Sequence, residues 1–101
     1  RIATYIFTLK ELQNTFNNER KEMKKSILSR NESAMKMVAH RIKPNLHILG
    51  LNEIAEIAAS IEIMENVSEI KEAMAFVLVN LPIINNQIQE LRAKYEVLNT
   101  N

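Results

Sequence analysis

Apolar side chains recur along this chain at steps of three and four, the spacing that gathers them on one face of an α-helix. Tyr5, Leu9, Leu12, Phe16, Met23 and Ile27 follow that spacing with Asn, Glu and Lys between them, which predicts a first helix over about 2–28. Ser29, Arg30, Asn31 and Glu32 break the pattern. Ser29 with Glu32 three residues later has the spacing of a capping box, in which two side chains satisfy each other's free amides, so a second helix is expected to start there. Its apolar set is Met35, Val38, Ala39, Ile42, Leu46 and Leu49. Gly50 then supplies the left-handed conformation that commonly closes a helix.

Asn52 is a good N-cap residue for a third helix running to about Glu65, with Ile54, Ile57, Ala58, Ile61 and Met64 facing inward. Asn66 and Glu69 repeat the capping spacing. Behind them Ile70, Met74, Val77, Leu81, Ile84, Ile88, Leu91, Tyr95 and Leu98 advance in unbroken steps of four and three, a fourth and longest helix. Pro82 lies within it and removes one amide donor, so a bend is expected there without termination. Four amphipathic helices joined by short polar links pack most simply as an antiparallel up-and-down four-helix bundle. The expected fold is all-α, one domain over residues 1–101.

Composition supports this reading. One Gly and two Pro leave few hairpin turns, and 47% apolar residues in a 101-residue chain suit a single core. The chain has no Cys, which excludes disulfides, thiolate metal sites and a cysteine nucleophile and fits a reducing compartment. A cytoplasmic location is expected. No apolar run approaches the roughly 20 residues that span a bilayer, and the N-terminus lacks the layout of a signal peptide, so no direct membrane insertion is expected.

The net charge of +1 conceals an asymmetry. Across positions 20–43, Arg20, Lys21, Lys24, Lys25, Arg30, Lys36, Arg41 and Lys43 face only Glu22 and Glu32, whereas from position 44 onward acidic residues prevail. Few aromatic platforms and a low net charge argue against nucleic acid as a partner.

The candidate chemistry lies on the second helix. His40, Lys43, Pro44 and His47 are spaced by three, four and seven, which aligns them on one stripe away from the apolar face. His40 is therefore expected in solvent. A neutral imidazole is a competent nucleophile toward an activated phosphoryl group, and Lys43, one turn on, can place a cation beside the moving charge. Lys36 and Arg41 can add longer-range attraction. Seven residues separate His40 from His47, roughly 10 Å along a helix, too far for one metal ion. No metal site or cofactor is expected.

The run Ala39-His40-Arg41-Ile42-Lys43-Pro44-Asn45-Leu46-His47-Ile48-Leu49-Gly50 resembles the Ala-His-x-Leu-Lys-Gly-x-x-x-x-Leu-Gly signature of histidine-containing phosphotransfer (HPt) domains. Ala39, His40, Lys43, Leu49 and Gly50 match, Ile42 replaces a Leu, and Pro44 stands where the family most often has Gly. The pair Ile61-Glu62 is similar to the Leu-Glu that often closes the family's third helix. The resemblance implies that His40 is the phosphorylated residue, Lys43 steadies the phosphoryl oxygens, and the surrounding face docks the receiver domain of a response regulator. Lys36, Arg41, Pro44 and His47 would contact that partner, which would carry the Mg²⁺. Such a domain relays a phosphoryl group between aspartates in a two-component phosphorelay without kinase activity of its own. Arg1 in place of an initiator Met fits a segment of a longer chain, such as a hybrid sensor kinase.

Two other readings stand beside it. The phosphoacceptor dimerisation domain of a sensor histidine kinase also exposes a His on a helix, but it typically has an acidic residue right after the His, where this chain has Arg41, and Pro five residues on, not four. A helical scaffold or interaction module would use the heptad from Ile70 to Leu98 for association. Four helical patterns in one chain need no partner strand, so the isolated domain is expected to be a monomer.

Overall fold

A computed structural model describes residues 1–100. Four helices follow one another: α1 (Ile2–Leu28), α2 (Glu32–Ile48), α3 (Asn52–Ile61) and α4 (Val67–Asn99). They pack with α1 against α4, α2 against α3, and the two pairs against each other, consistent with an up-and-down bundle. The core is where the apolar stripes converge. Phe16 and Met23 of α1, Met35, Ile42 and Leu46 of α2, Ala55, Ala58 and Ile61 of α3, and Ile70, Met74 and Leu81 of α4 are fully buried. No helix among the described residues is long and apolar enough to cross a membrane.

The turns explain where the helices stop. After α1, Arg30 takes a left-handed backbone (φ 51°), with the Arg30 amide donating to the Ile27 carbonyl and the Asn31 amide to the Ser26 carbonyl. Gly50 repeats the arrangement after α2 at φ 75°, with its amide on the His47 carbonyl and the Leu51 amide on the Leu46 carbonyl. Both are Schellman closures, which satisfy carbonyls left over at a helix end. Gly50 suits that conformation and Arg30 does not.

This turn corrects the expected start of α2. Ser29 belongs to the end of α1, where its hydroxyl donates to the Ser26 carbonyl, and Asn31 caps α2 by accepting from the Ala34 amide at 3.0 Å. Asn66 caps α4 as expected, accepting from the Glu69 amide at 3.1 Å. Asn52 is no cap: Leu51 holds that position without a side-chain bond. The third helix also ends earlier than its pattern suggested, because the amides of Glu62, Ile63 and Met64 each reach back three residues, the tighter winding in which helices often terminate. Helices α2 and α4 continue through Pro44 and Pro82.

Helices α1 and α4, of 27 and 33 residues, outrun α2 and α3, of 17 and 10. Beyond the α2–α3 turn they pair only with each other, as an antiparallel overhang. Ile6 and Leu9 of α1 are buried there, and polar and aromatic ties flank them: Gln13 donates to Gln89 at 2.9 Å, Arg92 donates to Gln13 at 2.9 Å, and Tyr5 stacks on Tyr95 at 5.5 Å. Tyr5, expected inside, is 57% exposed, because its neighbour Ile6 takes the buried position on the α1 stripe with Leu9 and Leu12. On α4, Leu91 and Leu98 are left exposed, at and beyond the level where α2 and α3 turn.

Candidate functional site

Val38, Ala39 and Ile42 point into the core of α2, which turns His40 to the opposite face with 70% of its side chain exposed. Lys43 follows three residues later. The side chain that joins them is Glu62, the residue that closes α3. His40 Nδ1 lies 2.7 Å from Glu62 Oε1, and Lys43 Nζ lies 2.8 Å from Oε2. One carboxylate thus spans two cationic or donor groups on the neighbouring helix.

An ionised carboxylate only accepts hydrogen bonds, so the proton of neutral His40 belongs on Nδ1, donating to Glu62, and the lone pair is on Nε2. With Nδ1 engaged on the α3 side and the ring mostly exposed, Nε2 is the free nitrogen. The Lys43 ammonium, and after it the His40 imidazole, hold the Glu62 carboxyl below the ordinary value of 4.5, against the opposing pull of burial. Glu62 is therefore anionic through the neutral range. An ammonium carries three donors, and Lys43 spends one of them on Glu62.

The other residues singled out in the sequence are dispersed differently. Lys36 lies on the His40 stripe one turn earlier and pairs with Glu32 at 3.9 Å. Pro44 is exposed one turn later and offers no amide to the His40 carbonyl. His47 shares the stripe, with its Nδ1 3.1 Å from Asn52 Oδ1. Arg41 is not brought beside His40: it lies about 100° around the helix and is held by Glu19 of α1 at 3.3 Å, where it ties α1 to α2.

Sequence reasoning missed the role of Glu62, which entered only as half of an Ile-Glu pair. The available signal was the hairpin itself. Two antiparallel helices folded back at Gly50 set residues equally far from the turn side by side, and His40 and Glu62 lie ten and twelve positions from it. Among the described residues, no three His, Asp or Glu side chains cluster as a metal site would require. No family model, curated protein or solved structure matches the chain.

Proposed function

We propose that this domain is a histidine phosphotransfer module that carries a phosphoryl group on His40 between receiver aspartates of a two-component phosphorelay. One observation carries the reading: Glu62 bridges His40 Nδ1 and Lys43 Nζ while the imidazole stays open to solvent. That is the polarity an attacking imidazole needs. The lone pair on Nε2 attacks the phosphorus of a partner's aspartyl phosphate, the Nε2–P bond forms, and the P–O bond breaks to release the aspartate carboxylate. The ring gains positive charge as this proceeds, and Glu62 stabilises it through Nδ1–H. Lys43 lies on the same side and has donors left for the phosphoryl oxygens. The phosphoramidate is cleaved by the reverse path when the next aspartate attacks, so the domain is a reactant in both steps and needs no nucleotide site.

The partner in this reading is a receiver domain whose aspartate and Mg²⁺ approach the exposed face of α2, with Lys36, Pro44 and His47 around the point of contact. A helical interaction module is the second reading, favoured by the apolar residues exposed on the α1–α4 overhang. The experiment that separates them mixes the domain with phosphorylated receivers and follows acid-labile, base-stable phosphate. Label on the wild type and none on His40→Gln is expected. Equal labelling of both proteins, or of neither across several receivers, would overturn the assignment.

A further inference from the structure

The basic side chains between positions 20 and 43 divide into two sets. Lys36, Arg41 and Lys43 each pair with a carboxylate. Arg20, Lys21, Lys24 and Lys25 of α1 are exposed and have no ion-pair partner among the described residues. Asn17, Arg20, Lys21 and Lys24 line an open recess of about 440 Å³ with no carboxylate in its wall. Next to it, Lys24, Ile27 and Leu28 meet Leu78 of α4 around an apolar recess of about 130 Å³, and Leu28 stands 82% exposed at its rim.

Nothing acidic balances these cations on their own side of the bundle. Glu19 holds Arg41 of α2, and Glu22 lines a recess against α2 with Ala34 and Met37. The stretch of α4 that packs beside the basic part of α1 carries no charged residue from Ala73 to Gln89. Lys71, seven residues before Leu78 on the same side of α4, adds a further cation. The outer face of the α1–α4 pair is therefore basic, with one leucine projecting from it.

We propose that this face rests on an anionic membrane surface, with Arg20, Lys21, Lys24, Lys25 and Lys71 against lipid headgroups and Leu28 reaching to the acyl boundary. Clusters of basic residues on an amphipathic helix attract anionic lipid, and an apolar side chain among them adds burial at the interface. The leucine favours lipid over a soluble polyanion, which offers it no apolar layer. Neither recess holds an aromatic side chain on which a nucleic-acid base could stack. Association is peripheral, since no helix among the described residues is long and apolar enough to cross a membrane.

Charge also sets the orientation. Helices α1 and α3 make no contact and occupy opposite corners of the bundle, so exposed Glu53 and Glu56 of α3 are held away from an anionic surface that draws α1 towards it. The His40–Glu62 bridge joins α2 to α3, on the side opposite the α1–α4 face, and stays open to a soluble partner. This face is independent of the chemistry proposed for His40.

Cosedimentation with vesicles tests the assignment. The chain is expected to bind phosphatidylcholine vesicles containing about 30% phosphatidylserine, to ignore pure phosphatidylcholine, and to be released between about 50 mM and about 500 mM salt. Each basic residue at such a surface is worth about fivefold in binding, so Lys21→Glu combined with Lys24→Glu should weaken it about 100-fold or more. Leu28→Gln should weaken it about tenfold. All three side chains are exposed, so helical circular dichroism should not change. The absence of native cysteine allows one environment-sensitive dye to be placed at Leu28→Cys or at Glu56→Cys; only the first should shift to the blue on vesicle addition. No binding to the anionic vesicles, equal binding to neutral ones, binding that survives the paired charge reversal or Leu28→Gln, or the same dye response at both positions would overturn the proposal. Tighter capture by polyglutamate or duplex DNA than by the vesicles would also overturn it, and would give the face to an acidic protein or to nucleic acid.

Discussion

Replacing Glu62 with Gln tests the bridge most directly. The amide keeps the shape of the side chain but removes its charge, and one of its two ends becomes a donor. It can accept from His40 Nδ1 or from Lys43 Nζ, and at the other end donor meets donor. The two lost or weakened contacts are 2.7 and 2.8 Å long. Glu62 and Lys43 retain about a quarter of their side-chain exposure and His40 most of its own, so water screens the pair, and the stability loss should be about 1 kcal/mol. In the proposed relay the larger effect falls on transfer, where Glu62 would no longer fix the Nδ1–H tautomer or balance the charge growing on the ring. A loss of one preorganised electrostatic contact at this level slows the step about 10- to 100-fold, or roughly 1.4–2.7 kcal/mol of barrier. Single-turnover transfer from a phosphorylated receiver, followed by rapid quench, measures the rate, and urea unfolding measures the stability. The pH dependence adds a control. The folded carboxyl of Glu62 titrates lower than it does unfolded, so its contribution is complete above the ordinary value of 4.5 and disappears as pH falls through the lower folded value. The stability difference between wild type and Glu62→Gln should shrink on acidification and stay level at neutral pH. A variant that transfers at the wild-type rate would refute the role given to the bridge.

Lys43→Ala should slow transfer about tenfold while costing under about 1 kcal/mol of stability, since an ion pair still reached by solvent contributes little to folding; paired quench and unfolding assays compare the two. The Schellman turns predict opposite signs. Arg30→Gly should stabilise by about 0.5–1 kcal/mol by relieving its left-handed backbone, whereas Gly50→Ala should destabilise by about 1 kcal/mol. No atom lies within 4 Å of the Cβ that the second change adds, so that loss is purely conformational, and urea midpoints check both. Ile42→Ala opens a cavity beneath the His40 face and should cost about 2–5 kcal/mol by the same measurement.

Helix periodicity made most of this fold legible. The bounds of α1 and the cap of α4 at Asn66 were readable because their signals are local: a stripe of apolar residues, and an acceptor three positions before the amide it caps. Ser29 and Asn31 were harder to separate, because both are good capping residues and the choice was made by the backbone of Arg30, whose left-handed turn uses Ser29 to finish one helix before Asn31 opens the next. Tyr5 carries the right spacing, but Ile6 beside it carries an equally good one and is the residue that is buried, and Leu98 lies past the ends of α2 and α3, where the stripe of α4 has no third helix to meet. At the site, His40 and Lys43 share one helix and were visible together. Glu62 comes from another helix, and an acidic residue at the end of α3 gains its meaning only once the hairpin is closed.

The exposure of His40 has a consequence for the lifetime of anything bound there. An imidazole standing out from the middle of a helix has no walls. It cannot exclude water or enclose a small substrate, and whatever dehydration a reaction needs has to arrive with the partner's own surface. In the proposed relay, the helix supplies alignment and charge, and the partner supplies the closed chamber. Between encounters a phosphoryl group on Nε2 would face bulk solvent, guarded only by the chemistry of the N–P bond, so the domain would act as an open courier whose cargo is protected by bonding and not by burial.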